Sequence, residues 1–379
     1  MRCPNCMHIM ATRSNRLVPF RAIHPGEILR DELLERGIKQ KDFAKSIGMQ
    51  ASHLNAFIKG KRDMNEELAM KLEAQLGIPF KTWMNLHNGY VYDKKAIEQR
   101  NEEDKNAQAF EEDCAKVINL KLLYKKLDMN LLSCSDRVCK IMEMFPFDLR
   151  SPEELRRNVA GFYKHSEKVQ IDETNMQTWL VLNWLKTSQT EIHTTYNKGN
   201  GLYAADKIAR MANERTLTVE AIKQCLNDYG ISYIEVEKLE KAPIDAYSTY
   251  FGDNPAITVT YRYNDLDKLA FDLLHELCHV ENHLEPNGGA FISMEGTLYS
   301  KDPKEKEANE FAREHLIPDN IWNDIMRVGS ANLSPHRIVN TIAREAEKNG
   351  ISPSIAVSRY KHDANWYQTS AYKSPKINP

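Results

Sequence analysis

His275, Glu276 and His279, in the run "FDLLHELCHVENHL" from Phe271 to Leu284, have the types and spacing for a definite chemistry. Two histidines four residues apart lie on one face of a helix, where their imidazoles can hold two positions about a tetrahedral zinc ion. A carboxylate beside them can take a proton from a water that the metal acidifies to a pKa of about 7. His275 and His279 are therefore candidate zinc ligands, and Glu276 is the candidate catalytic base. The pattern also arises by accident, so a third ligand is the deciding feature.

His283, one turn further on, is the nearest candidate. The class that uses a third histidine in this way needs H-E-x-x-H-x-x-G-x-x-H, and here Asn282 stands at the glycine position and Glu285 at the last. His283 thus reads as a residue near the surface at the helix end. A second helix, "DPKEKEANEFAREHLIP", starts well at Asp302-Pro303 and offers Glu305 and Glu307. At about 100° per residue, Glu305 shares a stripe with Ala308, Ala312 and Leu316, whereas Glu307 falls opposite with Glu310 and Glu314. Glu305 is the expected third ligand, and Asn309 the expected partner that orients a ligating side chain. An acid in an apolar stripe needs a partner, which a zinc ion supplies. The competing reading leaves Glu305 in the first turn to solvent and the helix dipole.

The elements that must position these residues follow from pattern. A motif helix from about Asp265 to Leu284 buries Leu266, Leu269, Ala270, Leu273, Leu274 and Leu277. Before it, a helix over Ala221 to Tyr229 ends at Gly230. Three β-branched and aromatic runs then follow, "ISYIEVEKL", "AYSTYF" and "AITVTYRY", the last two separated by Gly252-Asp253-Asn254-Pro255. A small antiparallel sheet is expected there.

Upstream, residues 21 to 95 form short helical blocks separated by Gly37, Gly48, Gly60 and Gly77. "KQKDFAKSIG" followed by a helix from about Gln50 is a helix-turn-helix arrangement, whose second helix enters the DNA major groove. Gln50, Ser52, His53 and Asn55 are the expected base readers, while Lys59, Lys61, Arg62 and Gln40 would meet phosphates. The alternative is a protein-binding bundle with solvated lysines. Residues 96 to 200 are a charge-rich stretch and then amphipathic helices, among them one starting at Ser151-Pro152. Trp179, Leu180, Leu182, Trp184 and Leu185 read as core.

The expected architecture is mainly α with a small antiparallel sheet. It comprises a tail over 1–20, a helix-turn-helix domain over 21–95, a helical linker region over 96–200 and an α+β metallopeptidase domain over 201–379. Cys3 and Cys6 with His8 are half of a zinc ribbon, but no second C-x-x-C follows, so the tail reads as disordered. The seven scattered cysteines form no disulfide framework, and no apolar run is long enough to span a bilayer. A cytoplasmic chain without a membrane span is expected. The net charge of −2 requires any DNA-binding surface to be local.

"HPGEIL", "GKR" and "AMKLEAQLGIPFKTWMNL" resemble the HigA-type antitoxins of the XRE helix-turn-helix superfamily over about 75 residues. The resemblance implies a homodimer on a palindromic double-stranded DNA operator and, less directly, pairing with an RNase toxin. "HELCH", "EKEANEFAREHLIP", "NPAITVTYRY" and "GISPSIAVSRY" resemble the ImmA/IrrE zinc metallopeptidases over about residues 215 to 365. That resemblance implies a zincin-like fold with Glu as third ligand and cleavage of a helix-turn-helix repressor. The strand "AITVTYRY" would then take the substrate by edge pairing. Cys278 departs from the small residues usual there in that family. Two functions follow. One is a DNA-binding regulator with a zinc endopeptidase acting on a repressor or antitoxin. The other is an antitoxin and autorepressor whose zincin domain is not catalytic.

Overall fold

The computed structural model describes residues 18–158, 171–260, 265–286, 289–294, 302–329, 335–367 and 372–376. Cys3, Cys6, His8 and the end of "AITVTYRY" lie outside the described residues. The chain forms two compact units. One takes in the described residues up to Glu111 together with Leu132–Lys140; the other takes in Glu112–Leu131 and the described residues from Ile141 onward.

The first unit contains α1 (Pro25–Glu35), α2 (Gln40–Ser46), α3 (Ala51–Ile58), α4 (Glu66–Leu76) and most of α5 (Phe80–Ala115). Gly37, Gly48, Gly60 and Gly77 follow the first four helices with φ of 67°, 63°, 69° and 71°. Only glycine adopts that conformation freely, so these positions end the helices. The start of α1 explains "HPG": the His24 ring Nδ1 accepts from the Gly26 N–H at 2.9 Å, and Pro25 sits in the first turn. A Cβ on residue 26 would fall 2.1 Å from the Phe57 carbonyl oxygen. α1 and α3 meet through that gap. Leu29, Leu33, Phe43, Leu54, Phe57 and Trp83 pack into an apolar core. The charge-rich stretch beyond residue 95 continues α5, a helix of 36 residues.

In the second unit, helices α6 (Leu120–Lys126), α8 (Pro152–Asn158), α9 (Glu173–Ser188), α10 (Asn200–Asn213) and α11 (Val219–Asp228) precede the sheet, and α7 (Cys134–Met144) begins in the first unit and ends in the second. Trp179 and Leu180 on α9 are fully buried, as the pattern predicts. The strands are β1 (Ser232–Glu235), β2 (Ile244–Phe251), β3 (Asn254–Val259) and β4 (Phe291–Met294), in the order β1-β3-β2-β4. α12 (Leu266–Cys278) lies between β3 and β4 in sequence. α13 (Pro303–Leu316), α14 (Asp319–Gly329), α15 (Pro335–Lys348) and α16 (Pro353–Asp363) complete the unit.

The sheet is small but mixed. β2 pairs antiparallel with β3 and β4, whereas β1 pairs parallel with β3. The antiparallel expectation assumed that sequence neighbours pair. Instead both edges of β2 are taken by β3 and β4, which leaves β1 the far edge of β3, running in the same direction. β3 is consequently an inner strand with all six residues buried. Its ladder bonds are used on both sides, so residues 256–259, the part of "AITVTYRY" in this strand, cannot take a substrate by edge pairing. Among the described residues, the free edges belong to β1 and β4.

Candidate functional site

α12 packs against α10 and α13, with the sheet beside it. The motif helix does not run as regular α-helix to Leu284: it ends at Cys278 and passes into a π-turn, His279–His283, closed by Leu284 N–H donating to His279 O at 2.8 Å. Such turns recur at functional positions in helices. Glu281 pins this one. Its buried carboxylate accepts from Tyr196 Oη–H at 2.9 Å, Gly199 N–H at 2.7 Å and Gly201 N–H at 3.1 Å. Two of these donors sit at the start of α10, so one carboxylate caps that helix and fixes the turn. A Cβ on residue 201 would meet Glu281 Oε2 at 2.8 Å, so any larger residue there would have to displace this carboxylate.

His275 and His279 turn their Nε2 atoms toward each other at 3.1 Å. Glu305, in the first turn of α13, places Oε2 3.3 Å from His275 Nε2 and Oε1 3.6 Å from His279 Nε2. α13 starts where expected, with the Asp302 carboxylate accepting from Lys304 N–H. Ala308, Ala312 and Leu316 are buried beneath it. The Glu305 side chain is 13% exposed, whereas that of Glu307 is 55% exposed.

The donor set suits a zinc ion. Tetrahedral coordination with bonds of about 2.0 to 2.1 Å puts ligand atoms roughly 3.3 Å apart, close to the separations found. His275 Nδ1 lies 3.0 Å from Asn309 Oδ1, an acceptor, so Nδ1 carries the proton and Nε2 keeps its lone pair. Burial opposes protonation of His275, but the Glu305, Glu276 and Asp272 carboxylates outweigh it and raise its pKa. That excess of negative charge calls for a cation. Burial and the neighbouring His275, His283 and Lys304 push the His279 pKa down to about 2, which keeps its ring neutral.

Glu276 is fully buried, and burial raises its pKa, while His275 and the neighbouring Ser248 and Ser293 hydroxyls work the other way. Ser293 Oγ, on β4, donates to Glu276 Oε1 at 2.6 Å, and Oε2 is left without a partner among the described residues. Phe291, also on β4, stacks on His279 with ring centroids 4.2 Å apart, and Lys304 lies over the outer side of that cluster, 5.3 Å from the Phe291 centroid. Cys278 lies outside the histidine–Glu305 cluster, grouped instead with His283 and Glu307, and burial pushes its thiol up to about 12.

His283 stands at the helix end as a half-buried residue whose side chain is only 6% exposed, with Nδ1 2.9 Å from His279 Nδ1 and Nε2 3.2 Å from Glu307 Oε2. The π-turn, with Glu307 across from it, draws the ring inward. Ser293 and Phe291 gave no signal in the sequence because they meet the site across a long loop, and Glu281 gave none because its partners, Tyr196, Gly199 and Gly201, are distant in sequence. The His279–His283 spacing did offer one, since it repeats the His275–His279 interval.

In the first unit, Gln50 is the N-cap of α3, and its side chain makes no capping bond. Gln50, Ser52 and His53 are exposed at the start of α3, and Lys59, Lys61 and Arg62 are exposed at and beyond its end. Asn55 is exposed on the same helix and lines a polar recess with Gln40 and Lys59, bordered by His24, Glu27 and Arg30. No helix among the described residues is long and apolar enough to cross a membrane.

Comparison with known proteins matches residues 29–83 to the helix-turn-helix family and residues 229–347 to a peptidase family described as the IrrE N-terminal-like domain. Virulence-associated protein I of Dichelobacter nodosus is 34% identical over 79 residues, which are 21% of this chain and 71% of that protein. The HTH-type transcriptional regulator YddM of Escherichia coli K12 is 29% identical over 66 residues, 17% of this chain and 70% of that one. A solved structure of Pseudomonas aeruginosa antitoxin HigA with the higBA promoter is 30% identical, with 22% of this chain and 90% of that chain covered and a TM-score of 0.21. An addiction module antidote protein of the HigA family from Coxiella burnetii is 26% identical, with 23% and 95% covered and a TM-score of 0.21. The chain belongs to the XRE-type helix-turn-helix DNA-binding regulators, and its second unit carries an IrrE N-terminal-like peptidase domain.

Proposed function

We propose that the second unit is a zinc endopeptidase that cleaves a repressor or antitoxin, and that the first unit, as a homodimer in the cytoplasm, carries it to a double-stranded DNA operator. One observation carries this reading: two bare imidazole nitrogens and a carboxylate converge at 3.1, 3.3 and 3.6 Å beside a buried glutamate. His275, His279 and Glu305 would hold the metal. Zinc, when bound, supplies Lewis acidity toward a scissile carbonyl and acidifies a neighbouring water. Ser293 anchors one oxygen of Glu276, and the other is available to receive a proton and pass it to the leaving nitrogen. Asn309 fixes the tautomer of His275. A substrate main chain would pair with the outer edge of β4, whose Ser293 already touches Glu276. Gln50, Ser52 and His53 would read base edges, while Gln40, Asn55, Lys59, Lys61 and Arg62 would hold phosphates. A regulator seated at an operator has other DNA-bound regulators as its nearest protein neighbours, which favours that substrate class.

Metal analysis of the full chain and of Glu276→Gln tests the reading. One zinc per chain is expected in both, with cleavage of a co-expressed repressor reduced about 10²- to 10⁴-fold in the variant. A wild-type chain without zinc, or cleavage untouched by Glu276→Gln, defeats it. Zinc retained with no proteolysis in either protein transfers the function to the non-catalytic, antitoxin-like alternative.

A further inference from the structure

We infer that His283 and Glu307 are positioning residues that fix the tautomer of His279 and so prepare its Nε2 for the metal. The inference rests on the zinc reading above and assigns roles to two residues outside the ligand set.

Glu307 Oε1 accepts from Asn282 Nδ2–H at 3.1 Å, and Oε2 lies 3.2 Å from His283 Nε2. A carboxylate only accepts, so His283 carries a proton on Nε2. With the ring proton on Nε2, Nδ1 is the accepting nitrogen of His283, and that atom lies 2.9 Å from His279 Nδ1. Two bare nitrogens at that distance would repel, so the proton between them belongs to His279. The Nε2 lone pair of His279 is therefore left pointing at His275 Nε2 and Glu305, where a cation would sit.

His275 reaches the same state with a single partner, Asn309. His279 has no such amide against its Nδ1. Its ring is stacked on Phe291 and stands at the entry to the π-turn, so the acceptor must come from the turn itself. His283 supplies it, and Glu307 on α13 sets the polarity of His283. The two residues that fail as third ligand thus complete the support of one that succeeds.

The same logic argues against a second metal ion. Cys278, His283 and Glu307 have donor atoms within 4.8 Å of one another. While His279 donates to His283 Nδ1, however, His283 Nε2 holds its proton toward Glu307 and has no lone pair to offer.

Zinc affinity by chelator competition, together with ¹⁵N imidazole spectra of the metal-free full chain, tests the inference. His283→Leu keeps an apolar filling but removes the acceptor. Zinc affinity should fall about 10- to 100-fold, and the His279 signals should shift from a single Nδ1–H tautomer to a mixture. His283→Gln restores a carbonyl acceptor and should keep affinity within about threefold of wild type. Glu307→Leu should lie between them, and the double variant His283→Leu/Glu307→Leu should lose no more than His283→Leu alone. Equal zinc affinity in wild type and His283→Leu overturns the inference, as does a second zinc equivalent that Cys278→Ala abolishes. A wild-type chain that binds no zinc overturns the metal reading itself. The tautomer spectra then decide separately whether His283 polarises His279.

Discussion

The two units handle polar chemistry in opposite ways. In the first, the core is apolar, and Gln50, Ser52, His53, Lys59, Lys61 and Arg62 stand in solvent on a helix that other residues hold in place. In the second, His275, Glu276, His279 and Glu281 are buried; His275, Glu276 and Glu281 each rely on a partner from another element, and His279 relies on His283 in its own turn. A surface reader can be exchanged without disturbing the fold, because water replaces its missing partner. A buried polar group cannot, because its removal leaves donors or acceptors unpaired in a medium where that is costly.

The sharpest way to break this contrast is Glu281→Ala. It touches no metal ligand, yet it strands Tyr196 Oη–H and the Gly199 and Gly201 N–H groups. Losing a buried carboxylate with three donors should cost about 3 kcal/mol or more, and zinc affinity should fall with it as the π-turn loosens. Thermal unfolding of the full chain, followed by a probe in the second unit, should show a midpoint lower by about 6 to 12 °C. An unchanged midpoint would mean that buried polarity is not what holds the site.

Gly26→Ala asks the converse question in the first unit. The added Cβ meets backbone, the Phe57 carbonyl, at 2.1 Å, and backbone yields less readily than a side-chain tip. A loss of about 2 to 3 kcal/mol is expected in the helix-turn-helix unit, with zinc content unaffected. Helix loss confined to the first unit in hydrogen exchange would confirm it.

These two residues also show what the sequence revealed and what it did not. Local chemistry was legible: the glycine stops and the Asp302-Pro303 start each depend on neighbours a few residues away. Helical phase was legible too, and it separated Glu305 from Glu307. The structure keeps that separation, with Glu305 against His275 and His279 and the more exposed Glu307 against His283. What stayed hidden depends on distant partners. Glu281 reads as one more polar residue until the start of α10 is placed on it. β4 was missed entirely, and with it Ser293 and Phe291, because four residues carry too little alternation to announce a strand. β3 was seen but given the wrong place, since strand order follows from packing across the whole sheet rather than from the strand's own residues.

The exposed readers should behave as separable parts. Gln50→Ala removes an exposed amide at the start of α3, and a lost bidentate contact to adenine is worth about 1 to 3 kcal/mol. Operator affinity should fall roughly 5- to 150-fold and discrimination at one base pair should relax, while the melting temperature stays within about one degree. A drop in stability as large as that of Gly26→Ala would place Gln50 among the structural residues instead.

Lys61→Ala should have the smallest effect and the most telling form. Lys61 is exposed just past the end of α3 and forms no ion pair with another described residue, so its charge is available to a phosphate. Losing one such contact weakens binding to all DNA sequences alike and lowers the slope of log affinity against log salt by about 1. Gln50→Ala should leave that slope unchanged, because a neutral amide releases no counterions. Titrations at three or more salt concentrations separate the two outcomes. If the slope moves for Gln50→Ala and stays fixed for Lys61→Ala, the division of α3 into a base-reading start and a phosphate-holding end is reversed, although both residues remain surface contacts that the fold does not need.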